Sequence, residues 1–296
     1  MEENTDSAPM LYFGYGSNLD RDDWEKWCSR KGLEPSGLKE IGPAWIDGYV
    51  LDFNYYSRSR GAGAANLTWI APGMAATPGA LFEIDEYTRD ALDRKEGHPN
   101  HYVRVEKVVY TSDGQCHLAY TYIHKSSNSE FHEPSDEYEE LIRNGLTRLD
   151  LPTTWLDYAL RKGVNPRFGY VFVYGTLMNG MIREDMMSDG SEMYCRGSAK
   201  GDLYDLGDYP GLKLGEGDVH GEVYKAGDMF QFIQHLDQIE GNVGDNPLFD
   251  RRIQLIDSEK GKVWAYVYHY ARPIESFEKI ESGSWLRKTT NLLEKE

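Results

Sequence analysis

Two carboxylates close helix-like segments immediately before a glycine, in Glu96-Gly97 and Glu240-Gly241. A carboxylate at a helix C-terminus faces the negative end of the helix dipole, which disfavours its charged form and raises its pKa, as burial also does. Such a group can take up a proton and give it back near neutral pH. Upstream of each lies a glycine turn leaving a β-prone run, Leu11-Tyr12-Phe13-Gly14-Tyr15-Gly16-Ser17-Asn18-Leu19 and Val171-Phe172-Val173-Tyr174-Gly175-Thr176-Leu177-Met178. Successive backbone N–H groups in a turn of this kind form a concavity for carboxylate or developing oxyanion oxygens. Neither turn is a nucleotide loop. No Gly-Lys-Ser/Thr follows, and Gly14-Tyr15-Gly16 lacks the third glycine of a dinucleotide fingerprint. Taken singly, each loop reads as a tight turn and each Glu as a solvated helix end; their recurrence in the same order favours proton-transfer chemistry.

The elements that position these groups recur as well. The two Tyr-Gly pairs lie about 159 residues apart, one domain length. In the first half Gly79 to Ile84 reads as a strand, Asp85 as an N-cap, and the stretch to Lys95 as a helix that stops at Glu96-Gly97. In the second, Val219 to Tyr224 reads as a strand and Asp228 as a cap, with Phe232, Leu236 and Ile239 marking an apolar helix face before Glu240-Gly241. A hairpin follows each time: Tyr102 to Tyr110 with Cys116 to Ile123 around Asp113-Gly114, and Phe249 to Ile256 with Val263 to Tyr270 around Gly261. Leu156, Tyr158 and Leu160 complete a terminal helix of the first half, and Lys162 to Pro166 reads as a breaker. The expected domains are 1–165 and 166–296. Mixed strands and helices without regular alternation predict α+β units, each a curled sheet or barrel with flanking helices.

Composition narrows the function classes. A chain of 296 residues suits about two domains, and a net charge of −17 argues against partners bound through phosphate, so neither nucleic acid nor an anionic membrane is expected. The charge is shared, about −9 over residues 1–168 and about −8 over the rest, so neither half is a charged tail. No run of about 18 apolar residues occurs, the acidic start MEENTDSAPM does not read as a signal peptide, and Cys28, Cys116 and Cys195 are too few and too scattered for a disulfide framework. A cytoplasmic location is expected.

Tyr12 to Leu19 followed by Glu96-Gly97 resembles the γ-glutamylcyclotransferase family, and the likeness spans almost all of residues 10–160. Leu51-Asp52-Phe53, the Gly/Ala-rich stretch from Gly61 to Leu67, Tyr102, and Pro134-Ser135 with Tyr138 add to it. The second half resembles the smaller γ-glutamylamine (AIG2-like) branch. It does so through Val171 to Leu177, Asp205 to Gly211, His220-Gly221-Glu222-Val223-Tyr224, Leu236 to Gly241 and Ser282-Gly283-Ser284-Trp285. The resemblance implies two tandem γ-glutamylcyclotransferase-like domains. It also implies a reaction in which the α-amine of a γ-glutamyl group attacks its own γ-carbonyl, forming 5-oxoproline and expelling the attached amine without a cofactor or water. Carried onto this chain, Glu96 and Glu240 correspond to the catalytic carboxyl. Tyr12, Phe13, Gly14, Tyr15, Gly16, Ser17 and Asn18, with Tyr138, would hold substrate in the first half. Tyr174, Gly175, Thr176 and Leu177 would do so in the second. Phe249 departs from the smaller branch, which often has Tyr before its Arg.

The remaining constellations carry less. His98-Pro99-Asn100-His101 offers two histidines beside Glu96, but Pro99 breaks the helix that would align them and no third ligand is evident, so no metal is expected. Ser17 reads as a hydrogen bonder in the loop rather than a nucleophile. Tyr55-Tyr56-Ser57-Arg58-Ser59-Arg60 is a basic-aromatic cluster that reads as a strand with an exposed loop, without nucleic acid, and is also able to hold a substrate carboxylate. Two other readings stay open: a protein that binds γ-glutamyl-like metabolites without turnover, in one or both halves, and an amidase-like hydrolase releasing glutamate. The leaving amine, the pathway and the oligomeric state are not encoded in any motif.

Overall fold

A computed structural model describes residues 9–125, 130–163, 168–188 and 190–286. The chain divides into two compact units, one gathering residues 1–109 and 117–166 and the other 110–116 and 167–296. The boundary expected at 165/166 lies outside the described residues.

The first unit opens with β1 (Met10–Gly14), a 3-10 turn (Ser17–Leu19) and α1 (Arg21–Lys31). Then come β2 (Lys39–Asp47), β3 (Tyr49–Ser57), β4 (Ala62–Trp69) and β5 (Ala76–Ile84), followed by α2 (Glu86–Glu96). It closes with β6 (Tyr102–Thr111), β7 (Cys116–His124), α3 (Asp136–Arg148) and α4 (Thr154–Ala159). Strands β1-β5-β2-β6-β7 form a closed barrel, and β3 and β4 form a separate two-stranded sheet. Helix α2 starts where expected: the Asp85 carboxylate accepts the Thr88 N–H at 2.7 Å. It stops at Gly97, whose φ of 66° is the left-handed cap that glycine adopts without strain.

The second unit contains β8 (Tyr170–Val173), α5 (Asp185–Ser188), β9 (Ser191–Asp205), β10 (Pro210–Ala226) and α6 (Met229–Ile239). Strands β11 (Phe249–Ser258), β12 (Gly261–Tyr270) and β13 (Glu278–Lys279) follow. Its barrel runs β10-β8-β12-β11-β9, closed by pairing of β9 with β10, and β13 adds to the outer edge of β9. Matching β8 to β1, β10 to β5, β9 to β2, β11 to β6 and β12 to β7 reproduces the first barrel's order. Direction agrees too, since β1 is antiparallel to β5 and parallel to β7, and β8 is antiparallel to β10 and parallel to β12. Each loop-bearing strand rests on a glycine of its neighbour. A Cβ on Gly79 would lie 2.4 Å from the Gly14 carbonyl oxygen, and one on Gly221 2.2 Å from that of Val173. The α+β reading with two barrel-like units therefore holds. The strand expected at Val219–Tyr224 runs longer, as β10, because it stays paired with β9, which the sequence did not suggest, across register shifts at Lys213/Asp218 and Val223/Tyr224.

Candidate active site

In the first unit the Tyr-Gly loop and Glu96 meet across a cavity of about 1000 Å³. The loop turns back on itself through Leu19 N–H to the Gly16 carbonyl (3.1 Å), so the N–H groups of Gly16, Ser17 and Asn18 precede its first turn bond. Asn18 donates through Nδ2 to Glu96 Oε1 (3.0 Å) and to the Tyr12 hydroxyl (2.8 Å), tying loop, strand and carboxyl together. Glu96 is part-buried, and burial pushes its pKa up, against the pull of Lys95, the Asn18 hydrogen bond and Arg60. Tyr138, from α3, covers the loop closely: a Cβ on Gly16 would sit 3.2 Å from its hydroxyl, which accepts the Ala65 N–H (3.3 Å). Arg60 lies over the Tyr138 ring at 4.2 Å and donates to Ser17 Oγ (3.2 Å).

Of the residues expected to hold substrate here, Tyr12, Tyr15, Gly16, Ser17, Asn18 and Tyr138 line the cavity. Phe13 and Gly14 do not. Phe13 is fully buried in the barrel core, and Gly14 belongs to the strand that pairs with β5. Tyr15 is a structural pin as well as a wall, its hydroxyl donating to the Tyr122 carbonyl at 2.5 Å. His98 accepts the Arg104 N–H (3.1 Å) and His101 pairs with the Tyr55 hydroxyl (3.0 Å), so each histidine has its own partner.

The second unit repeats the geometry with fewer polar groups. Met178 N–H bonds to the Gly175 carbonyl (3.1 Å), and the Tyr174 hydroxyl donates to the Tyr268 carbonyl (2.6 Å), as Tyr15 does to Tyr122. Tyr174, Gly175, Thr176, Leu177 and Glu240 line a cavity of about 140 Å³. Leu177 stands where the first loop has Asn18, and Val171 where β1 has Tyr12, so among the described residues no equivalent pair reaches Glu240. Desolvation therefore dominates and raises the Glu240 pKa to about 7, with only Arg183 opposing it. Phe249 makes the wall apolar where Tyr102 of the first unit donates its hydroxyl to the Ala65 carbonyl (2.7 Å). Glu222, buried in β10, accepts the Asn179 N–H (2.8 Å) and the Tyr224 hydroxyl (3.1 Å), which anchors the far end of the loop.

A further constellation sits behind each carboxyl and escaped the sequence reading. Asp93, one helical turn before Glu96, accepts from the Tyr122 hydroxyl (2.7 Å) and pairs with Arg104, whose guanidinium lies 5.1 Å from the Tyr120 ring centre. Asp237, one turn before Glu240, accepts from the Tyr268 hydroxyl (2.7 Å) and pairs with Arg251, which lies 5.1 Å from the Tyr266 ring centre. The shared pattern Asp-x-x-Glu-Gly was the available signal.

A family model described as Gamma-glutamyl cyclotransferase, AIG2-like matches residues 12–140 and 171–287. The Gamma-glutamylcyclotransferase family protein YtfP of Escherichia coli (strain K12) is 35% identical over 116 residues, which is 39% of this chain and 95% of that protein. The Gamma-L-glutamyl-butirosin B gamma-glutamyl cyclotransferase of Niallia circulans is 34% identical over 106 residues, 33% of this chain and 66% of that protein. Among solved structures, one described as Gamma-glutamyl cyclotransferase matches with 27% identity and a TM-score of 0.42, covering 53% of this chain and 89% of the other. YkqA from Bacillus subtilis matches with 15% identity and a TM-score of 0.39, covering 96% of this chain and 98% of the other.

Proposed function

Because the chain belongs to the γ-glutamyl cyclotransferase, AIG2-like family, we propose that each unit converts γ-glutamyl amines or γ-glutamyl amino acids to 5-oxoproline and a free amine. The observation that carries this reading is the doubled pairing of a part-buried carboxyl of raised pKa with a Tyr-Gly turn on one cavity. The nucleophile and the carbonyl belong to one substrate, so ring closure is unimolecular, and well-oriented reactions of that type reach effective molarities on the order of 10⁵ M or more. The protein then has to fold the substrate and move protons. Glu96 or Glu240 takes a proton from the α-ammonium, baring the nitrogen. The bond from the α-nitrogen to the γ-carbonyl carbon, Cδ, forms, and the loop N–H groups of Gly16 to Asn18, or Gly175 to Leu177, stabilise the oxyanion. The carboxylic acid protonates the leaving nitrogen as the Cδ–N bond breaks, and the ring nitrogen's extra proton passes back through the carboxylate to the released amine, which departs as ammonium. No water enters the products.

Product analysis by mass spectrometry tests the proposal. Incubation with γ-glutamyl-alanine and with a γ-glutamyl-lysine isopeptide should yield 5-oxoproline. Glu96→Gln and Glu240→Gln should each remove the activity of their own unit, and the double variant should release none. Glutamate as product would make the chain a hydrolase, and binding without product would make it a binding protein. A double variant working at the wild-type rate would remove the proton-transfer assignment.

A further inference from the structure

The arginines of the first unit fall into two sets. Arg21, Arg89, Arg104, Arg143, Arg148 and Arg161 lie off the cavity, and each has a carboxylate within 4.0 Å. Arg30, Arg58, Arg60 and Arg94 line the cavity, and none has a carboxylate partner within that distance among the described residues. They converge from three places: the last turn of α1, the turn between β3 and β4, and the last turn of α2. In a chain of net charge −17, four guanidinium groups, none within 4.0 Å of a carboxylate among the described residues, gather on one concave surface that Asp23 and Glu96 also line, and they outnumber those carboxylates.

A γ-glutamyl group cannot account for this. Its one carboxylate is offset by its own ammonium, and Arg60, already bonded to Ser17 of the loop, suffices to hold it. The space is also in excess, since about 1000 Å³ lies at the upper end of small-molecule sites, whereas the second unit accommodates about 140 Å³, with Arg183 the one lining cation among the described residues. We propose, building on the cyclotransferase reading of this site, that the first unit acts on γ-glutamyl compounds whose leaving amine carries two or more negative charges. Arg30, Arg58 and Arg94 receive those charges while Arg60 holds the α-carboxylate. The bond changes are those of cyclisation: the bond from the α-nitrogen to Cδ forms, the Cδ–N bond to the polyanionic amine breaks, and the leaving nitrogen gains a proton.

The test uses the full chain carrying Glu240→Gln, so that 5-oxoproline comes from the first unit alone. Two anionic substrates, γ-Glu-γ-Glu-Glu and γ-glutamyl-phosphoethanolamine, separate carboxylates from phosphate as the source of charge, and γ-Glu-Ala is the comparator. At low salt the better anionic substrate should exceed γ-Glu-Ala in kcat/KM by about tenfold or more, and about 0.5 M salt should erase most of that advantage. Arg58→Gln with Arg94→Gln should shrink the ratio between substrates. Lys26→Gln, which removes an exposed charge outside the cavity, should leave the ratio as it was. If γ-Glu-Ala is turned over as well as both anionic substrates, or the advantage ignores salt and both arginines, the proposal fails while the cyclotransferase reading stands. If none of the three substrates yields 5-oxoproline from wild type or variant, both fall.

Discussion

Glu96 and Glu240 occupy the same place in two barrels, and burial raises the pKa of both, but the groups around them differ. Asn18 supplies Glu96 with a hydrogen bond that favours the carboxylate, and Leu177 at the matching place supplies nothing to Glu240. With a pKa near 7, Glu240 is half ionised at neutral pH. A base must be ionised to work, so in a Glu96→Gln chain kcat/KM should rise with pH up to about 7 and then level off. The same shift has a stability consequence whose sign follows from linkage. The folded state holds this proton up to a pKa of about 7, against 4.5 for an unperturbed Glu. Its stabilising contribution is therefore complete below about pH 4.5 and is lost as pH climbs through 7. Glu240→Gln should consequently unfold at higher temperature than wild type at pH 8, by on the order of 2 kcal/mol in stability, and show a smaller difference at pH 5. Thermal unfolding of both chains at the two pH values measures this; an unchanged difference would mean that Glu240 titrates as an exposed carboxylate does.

At the level of elements, each carboxyl is aimed by a clamp joining one helix to two strands. Asp93 reaches from α2 to Arg104 of β6 and Tyr122 of β7, and Asp237 reaches from α6 to Arg251 of β11 and Tyr268 of β12. Asp93→Asn should lower the stability of the first unit by about 2–4 kcal/mol, because the part-buried Arg104 guanidinium loses its charged partner. It should also lower kcat for that unit's reaction more than it raises KM, since the helix end carrying Glu96 loses its tie to the barrel. Tyr122→Phe cuts one arm only and should do less on both counts. Steady-state kinetics in a Glu240→Gln chain, alongside thermal unfolding, checks the split. The helices themselves were legible because caps and stops are local: Asp85, Gly97 and Asp228 act within one turn of the chain. The clamp was not, because nothing local to Asp93 announces that Arg104 and Tyr122 will pair with it across the barrel. The lengths of β9 and β10 were hidden for the same reason, being set by pairing that survives two register shifts.

For the whole molecule, the repeat was the most readable feature, since two Tyr-Gly turns and two Glu-Gly stops in one order require two similar scaffolds. What the repeat concealed is how far the halves diverge. Arg30 and Arg94 lie on separate helices and become one surface only when α1 and α2 both border the first cavity. Every residue lining that cavity comes from the first unit, and every residue lining the other comes from the second. Neither loop borrows its carboxyl from the other unit, so the two sites should behave as independent catalysts, and energetic effects at distant sites with no shared partner add. On a substrate both accept, kcat/KM for Glu96→Gln and for Glu240→Gln should sum to the wild-type value at each pH. The Glu240-dependent part should fade below pH 7 while the Glu96-dependent part follows a profile of its own. Rates that sum to less than wild type would require one unit to assist the other, which two self-contained cavities give no means of doing.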